Sequence, residues 1–439
     1  MVIRTRAMAV VALLALAGAA PASAASARPV TLDEALALAR ANALGLVQAR
    51  GQQRTGSANV RSSLAAFLPS LTLNAGSTRQ FTGGAATRIE NGTVITLPNT
   101  PWSYSAGLGA SLQLFDGGSR FYNLRQARAG EVAADANEVA QRYAVDLAVK
   151  QQYFNVLAAR ESEAAAGAQV DQAEAQRRVA VLKLRAATAT KSDSLRSEIQ
   201  VRNARLAVVQ ARTDLETANA ALAHLLGVDE NVTASETDTL PTPTLMLSDA
   251  ELARLAQDGP EVRQALAQLT SARAAKGLTL ADYLPSLNLG YSRSGNGSGA
   301  DAMFGSSDLS YSGTLRLTLS MPLFDQLGRE SRAIQRDVAE DNAAAALRDA
   351  QLGARENLTR SLGALRTAAE RVEAQTASVA AAEEDLRVQQ LRYGHGESTL
   401  LDVLTSQATL NDARAQLIRA RYDMRVSRAQ IEALIGRDL

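Results

Sequence analysis

The 439-residue sequence has no cysteine, which excludes disulfides, thiolate zinc sites, cysteine nucleophiles and an acylated lipoprotein cysteine. It has two histidines, His224 and His395, too few and too far apart for a multi-histidine metal centre. No nucleophile, base and orienting group fall together at any spacing, so no catalytic residues, no cofactor and no enzyme are expected. Charge of one sign is also missing. The 46 Lys and Arg against 45 Asp and Glu leave +1, without the basic face that a nucleic-acid partner requires. Aromatic residues are only 4 % of the chain although apolar residues reach 46 %, with Ala supplying much of the remainder. Small residues with few rings suit closely packed helices better than a thick globular core.

One short apolar run stands at the N-terminus. Arg4 and Arg6 precede Ala7–Ala20, and Ala22-Ser23-Ala24 follows as a small-x-small cleavage signal. Residues 1–24 therefore read as a signal peptide, too short to span a membrane, and its removal takes away two positive charges. No other stretch approaches the ~18 uncharged apolar residues of a spanning helix. An exported chain without such a helix is periplasmic, secreted or an outer-membrane β-barrel.

Proline is absent from 102–240 and from 323–439, and both stretches are dense in strong helix formers. Leu358, Leu365, Val372, Val379, Leu386 and Tyr393 recur every seventh residue, as do Val403, Leu410, Leu417, Met424 and Ile431. Val201, Val208, Leu215 and Leu222 form a shorter series in the first stretch. Such spacing predicts paired helices with a left-handed supercoil, although an ordinary bundle core produces similar patterns. The expected helices are 119–188, 191–226, 327–393 and 399–435, with shorter ones at 31–67 and 248–283, the last broken by Gly259-Pro260.

The chain repeats itself. Phe67-Leu-Pro-Ser-Leu71 returns as Tyr283-Leu-Pro-Ser-Leu287, and Leu114-Phe-Asp116 returns 209 residues later as Leu323-Phe-Asp325. Leu225-Leu-Gly-Val-Asp229 returns as Leu434-Ile-Gly-Arg-Asp438 at the same offset, and Asp193 corresponds to Asp402. A tandem duplication is expected, with repeats at 25–240 and 241–439.

Between these markers lie period-2 segments. Leu108, Leu112, Leu315 and Leu319 alternate with Gly109, Ser111, Thr314 and Thr318, within strands expected at 102–115 and 309–324. Shorter partner strands are expected at 68–81 and 284–292, joined through polar loops at 82–101 and 293–308. The longer strands exceed the ~9–11 residues that cross a bilayer with tilt. Four strands cannot close a barrel, but three copies of the chain provide twelve, and lipid tolerates no open sheet edge. The leucine face would meet lipid, and the Ser/Gly/Thr face, with Arg316, would meet water. In each half one long helix matches two shorter helices stacked end to end, with residues 25–30, 227–247 and the C-terminus left to form a belt at the joint.

The segment from Arg392 to Leu404 is the sharpest motif. Gly394 and Gly396 are positioned to break a long helix, Thr399 to cap the next, and Asp402 to complement its dipole. Signal peptide, duplication, Leu-Pro-Ser-Leu and Leu-Phe-Asp junctions and this hairpin together resemble the TolC family of outer-membrane efflux proteins, over essentially the whole mature chain. The resemblance implies a homotrimer with a twelve-stranded barrel in outer-membrane lipid and a helical coiled-coil tube in the periplasm. It also implies a periplasmic adaptor (membrane fusion) protein and an inner-membrane pump as partners, in efflux or type I secretion.

By the same resemblance, Tyr393 and Asp402 are gate residues. Ser398 and Thr405 stand where the family has an Arg and a second Asp. Arg392, Gly394, Gly396, Thr399 and Leu400, with Lys183 and Asp193 in the first half, are the expected adaptor-docking residues at the tips. Ala187 and Thr190 occupy the places of Gly396 and Thr399, so the first-half tip lacks the glycine turn. His395 is expected to be an exposed tip residue and His224 a helix-end residue. A periplasmic coiled-coil adaptor or structural protein also fits the heptads, but leaves the amphipathic strands unexplained.

Overall fold

A computed structural model of the chain describes residues 27–79, 87–96, 102–235, 247–299 and 309–439. The expected signal peptide, the end of strand 68–81 and parts of the loops at 82–101, 227–247 and 293–308 lie outside the described residues. The elements begin β1 (Arg28–Val30), α1 (Leu32–Asn42), α2 (Leu44–Ala65), β2 (Ser70–Thr78), β3 (Thr87–Glu90), β4 (Thr93–Thr96), β5 (Trp102–Asp116), α3 (Ser119–Arg185) and α4 (Lys191–Leu226). They continue with β6 (Val232–Ala234), α5 (Asp249–Gln257), α6 (Pro260–Lys276), α7 (Leu278–Ala281), β7 (Ser286–Gly299), β8 (Ser310–Ser320), α8 (Gly328–His395) and α9 (Leu400–Ile435). No helix among the described residues is long and apolar enough to cross a membrane.

The described residues form two compact units, one from 27–35 and 152–235, the other from within 36–151 and 247–439. In the first, β1 and β6 pair in parallel, Val30 beside Ala234. Buried Tyr153 ties that pair to α3, because its hydroxyl donates to the Val30 carbonyl at 3.1 Å and accepts from the Ser235 amide at 3.2 Å. Farther along α3, Val170 and Ala173 pack against Ala204 and heptad residue Val201 of α4. Ion pairs Arg177–Glu198 at 2.8 Å and Arg205–Glu174 at 2.7 Å flank that seam.

In the second unit a four-stranded antiparallel sheet has the order β2-β5-β7-β8. Its register sorts the two faces, with Arg293 the charged exception on the apolar one. Leu71, Ala110, Tyr291 and Leu315 share one row, and Leu112, Leu289 and Leu317 share another. On the opposite face Thr72, Gly109, Ser292 and Thr314 align, as do Ser70, Ser111, Gly290 and Arg316. A bulge between Gln113 and Phe115 moves Leu114 out of the ladder and seats Phe115 beside Leu287 on the apolar face. Every residue of β8 is exposed, and Leu73, Leu315 and Leu319 are each more than two-thirds exposed. The core of this unit lies instead along α8. There Leu358, Leu362 and Leu365 bury against Leu252 of α5 and Met424, Ile431 and Ile435 of α9.

Several boundaries differ from the sequence expectation. The segment 31–67 is two helices, because Ala43 adopts ψ 128° between them. Within the expected loop 82–101 stands the hairpin β3–β4, whose Asn91-Gly92 turn has φ of 51° and 80°, the conformation favoured for two-residue hairpins. The strand expected to stop at 292 continues to Gly299, paired first with β5 and, to Asn296, with β8. The second-repeat helix does not break at Gly394. It runs on to His395, since a glycine with room around it can remain helical and only Gly396 turns the chain.

Candidate functional site

The α8–α9 hairpin in the second unit carries the expected gate. Gly396 ends α8 with φ +80°, its amide reaching the Tyr393 carbonyl at 3.3 Å while Glu397 N–H reaches Arg392 O at 2.8 Å. That pair of bonds satisfies the last carbonyls of the helix in the usual glycine-terminated way. Thr399 then caps α9. Its hydroxyl accepts from the Asp402 amide at 3.3 Å, and Asp402 Oδ2 accepts from Thr399 N–H at 2.8 Å and from its hydroxyl at 2.7 Å. The Thr399 hydroxyl and amide bonds, helped by the field of Arg392, hold the Asp402 carboxyl below its ordinary value.

Tyr393 is half-buried and packs against Ala382, Leu386, Val403 and Leu410. Ser398 donates to the Gln389 carbonyl at 3.2 Å, and Thr405 donates to Leu401 O at 2.9 Å. Both hydroxyls thus bond backbone within the hairpin. Arg392, Gly394, His395 and Gly396 are exposed, as docking would require. Leu400 is not. At 3 % exposure it is a buried anchor of the hairpin, and the exposed leucine of this turn is Leu401.

Sequence reasoning missed the hydrogen bond from Ser406 to Asp385 at 2.5 Å and the ion pair Arg414–Glu383 at 2.7 Å, which join the same two helices. Asp385 sits beside heptad residue Leu386, and that adjacency was the available signal.

In the first unit the α3–α4 hairpin repeats the cap with different chemistry at the turn. Thr190 and Asp193 form the same reciprocal pair, the Asp193 amide reaching the Thr190 hydroxyl at 3.2 Å. Thr188 N–H bonds to the Lys183 carbonyl at 2.9 Å, so Lys183 lies in the closing turn of α3. Ala187 holds φ +58° where the other hairpin has Gly396. The two tips therefore share a fold and differ in strain.

Long paired helices turned by capped hairpins, joined to an antiparallel sheet with one apolar face and, among the described residues, two open edges, define a protomer of an outer-membrane channel. The chain belongs to the outer membrane efflux protein family, whose profile matches residues 35–228 and 252–437. It is 29 % identical to protein CyaE of Bordetella pertussis over 93 % of this chain and 84 % of that one. It is 28 % identical to the pyoverdine export outer membrane protein OpmQ of Pseudomonas aeruginosa, over 89 % and 82 %. Its fold matches the Neisseria gonorrhoeae MtrE outer membrane channel with a TM-score of 0.73 at 22 % identity, covering 93 % of this chain and 89 % of that one. The family is one of transport ducts and not of enzymes.

Proposed function

We propose that three copies of this chain close one twelve-stranded barrel and form the outer-membrane exit duct of a tripartite efflux or type I secretion system. A periplasmic adaptor and an inner-membrane pump would deliver the cargo. The observation that carries this is the sheet. Among the described residues, edges β2 and β8 pair with no further strand, and Leu73, Leu315 and Leu319 on the apolar face are exposed. An open edge and an uncovered apolar face are tolerated together only if neighbouring copies pair the edges and lipid covers the face.

Residues 1–24 serve as the cleaved export signal in this proposal, and a sequence without cysteine fits a chain that is not thiol-acylated. The duplication into 25–240 and 241–439 is supported by backbone conformation. Left-handed residues at 117, 118, 187 and 227 recur 209 residues later at 326, 327, 396 and 436. Tyr393 and Asp402 form the constriction, and Arg392, Gly396 and Thr399 with Lys183 and Asp193 lie on the adaptor-docking tips. The test is direct. The detergent-solubilised protein should have the mass of three chains and fractionate with outer membranes, whereas a folded monomer released with soluble periplasm would refute the proposal.

A further inference from the structure

Among the described strand residues on the apolar face, Arg293 is the one charged side chain. It lies in a row with Leu108 of β5 and Gly313 of β8. One row farther from the helices, Tyr311 faces Gly295, and a Cβ added at Gly295 would come within 2.7 Å of the Tyr311 ring. Glycine there lets the ring lie flat across the strand. The Arg293 guanidinium sits over that ring, 5.4 Å from its centre, inside the range of a cation–π contact. From the other side Tyr291 reaches the same row, its hydroxyl 3.7 Å from where a Cβ on Gly313 would stand. Two glycines thus make room for two tyrosines, one beneath the arginine and one reaching into its row.

Depth gives this cluster meaning. The eight steps from Met321 to Gly313 climb roughly 20 Å at ~3.4 Å each with a tilt near 40°, close to the ~25 Å apolar band of outer-membrane barrels. Arg293 falls at the edge of that band farthest from the helices. Trp102, half-buried, continues beyond it on the same face, and Arg79 lies 5.9 Å from its ring centre. Aromatic rings of this kind sit where hydrocarbon meets headgroups. A charge at mid-bilayer would be destabilising, whereas one at this level meets the polar layer.

We infer that Arg293, backed by Tyr311, binds a phosphate group on the glycolipid of the outer leaflet. Guanidinium presents a planar fork of donors that matches two phosphate oxygens, and the ring beneath restricts it to that orientation. A neutral lipid headgroup offers no charge for it. The proposal rests on the outer-membrane placement above, with the leucine face toward lipid.

The test measures binding of diphosphoryl lipid A, and of the same lipid stripped of phosphate, to the purified full-length protein in uncharged detergent. Native mass spectrometry counts lipid per assembly. Arg293→Gln should weaken binding of the diphosphoryl lipid by about tenfold, as loss of a charge-assisted bidentate contact does. Arg316→Gln removes an equal charge from the opposite face and should change it less than twofold. Wild-type protein should bind the phosphate-free lipid no better than Arg293→Gln binds the intact one. Equal wild-type affinity for both lipids would overturn the proposal, and that measurement requires no variant to assemble. Unchanged affinity in Arg293→Gln would overturn it too. Loss in Arg316→Gln alone would mean the sheet faces are reversed, and absence from the outer membrane would refute the placement itself.

Discussion

At the scale of single residues, the two hairpins provide an internal comparison. Gly396 and Ala187 hold the same left-handed conformation, φ 80° and 58°, at the same place in each repeat. Glycine adopts it freely, whereas a Cβ costs about 1 kcal/mol there. Ala187→Gly should therefore stabilise the α3–α4 turn by roughly 0.5–1 kcal/mol, the relief being partly offset by the freer unfolded chain. Gly396→Ala should destabilise the α8–α9 turn by about 1 kcal/mol. Trypsin cleavage near Arg185 in the first case and Arg392 in the second reports each change locally, slower for one and faster for the other.

Lys150 supplies a pH-dependent case. Burial alone would lower its pKa, but Glu432 at 2.6 Å and Asp438 at 3.2 Å outweigh burial and leave it raised. A raised lysine stabilises the fold fully below the ordinary value of ~10.4 and ceases to do so as pH climbs through the raised one. Melting temperature should fall in that alkaline window for the wild type and fall less for Lys150→Met. Equal slopes would remove Lys150 from the account.

At the scale of elements, the sheet faces make an opposed pair of outcomes. Leu315 shares a row with Tyr291, Ala110 and Leu71, whereas Thr314 shares one with Ser292, Gly109 and Thr72. Leu315→Arg places a charge against lipid and should cost about 2–4 kcal/mol near the midplane, visible as lost heat-stable oligomer. Thr314→Arg should assemble normally and alter conductance. Equal assembly defects would void the face assignment.

Period-2 alternation made these faces legible in sequence, and the absence of proline made the long helices so. Helix 191–226 was readable to the residue because Thr190 and Gly227 bound it with a cap and a left-handed turn. The glycine-rich stretch after 292 misled, because Gly295 and Gly297 look like loop until Tyr311 is known to cover one of them from the neighbouring strand. The 82–101 hairpin was hidden for a simpler reason. Asn91-Gly92 is a strong turn signal, but four-residue strands beside it are too short to show alternation. Charge pairs such as Arg40–Asp146, 2.7 Å apart and more than a hundred residues distant in sequence, leave no local trace. Leu400 failed as a docking residue because exposure within a helical turn depends on which partner helix the turn faces.

At the scale of the whole molecule, the expected gate poses a choice between two roles for one carboxylate. Asp402 Oδ2 already serves the Thr399 cap, and Asp193 serves the equivalent cap at Thr190. Helix capping therefore accounts for an aspartate at both tips, and only a ring of charge in the assembled duct would set Asp402 apart. Asp402→Asn separates the two roles, since asparagine still accepts hydrogen bonds from the cap but carries no charge. Three carboxylates at a narrow opening attract permeant cations through a low-dielectric confinement. In planar bilayers Asp402→Asn should thus lower cation selectivity and weaken block by multivalent cations while leaving resting conductance nearly unchanged. Tyr393 would act differently, through its packing on the cluster that contains Leu386 and Val403. Ser398 and Thr405 are bonded to backbone inside the hairpin, so if this hairpin is the gate its closure should depend on that packing more than on ion pairs across protomers. Tyr393→Ala should accordingly raise resting conductance, and cells carrying it should admit a large antibiotic such as vancomycin. Unchanged selectivity in Asp402→Asn together with unchanged conductance in Tyr393→Ala would place the constriction elsewhere, and would leave Asp402 a capping residue only, as Asp193 is in the other repeat.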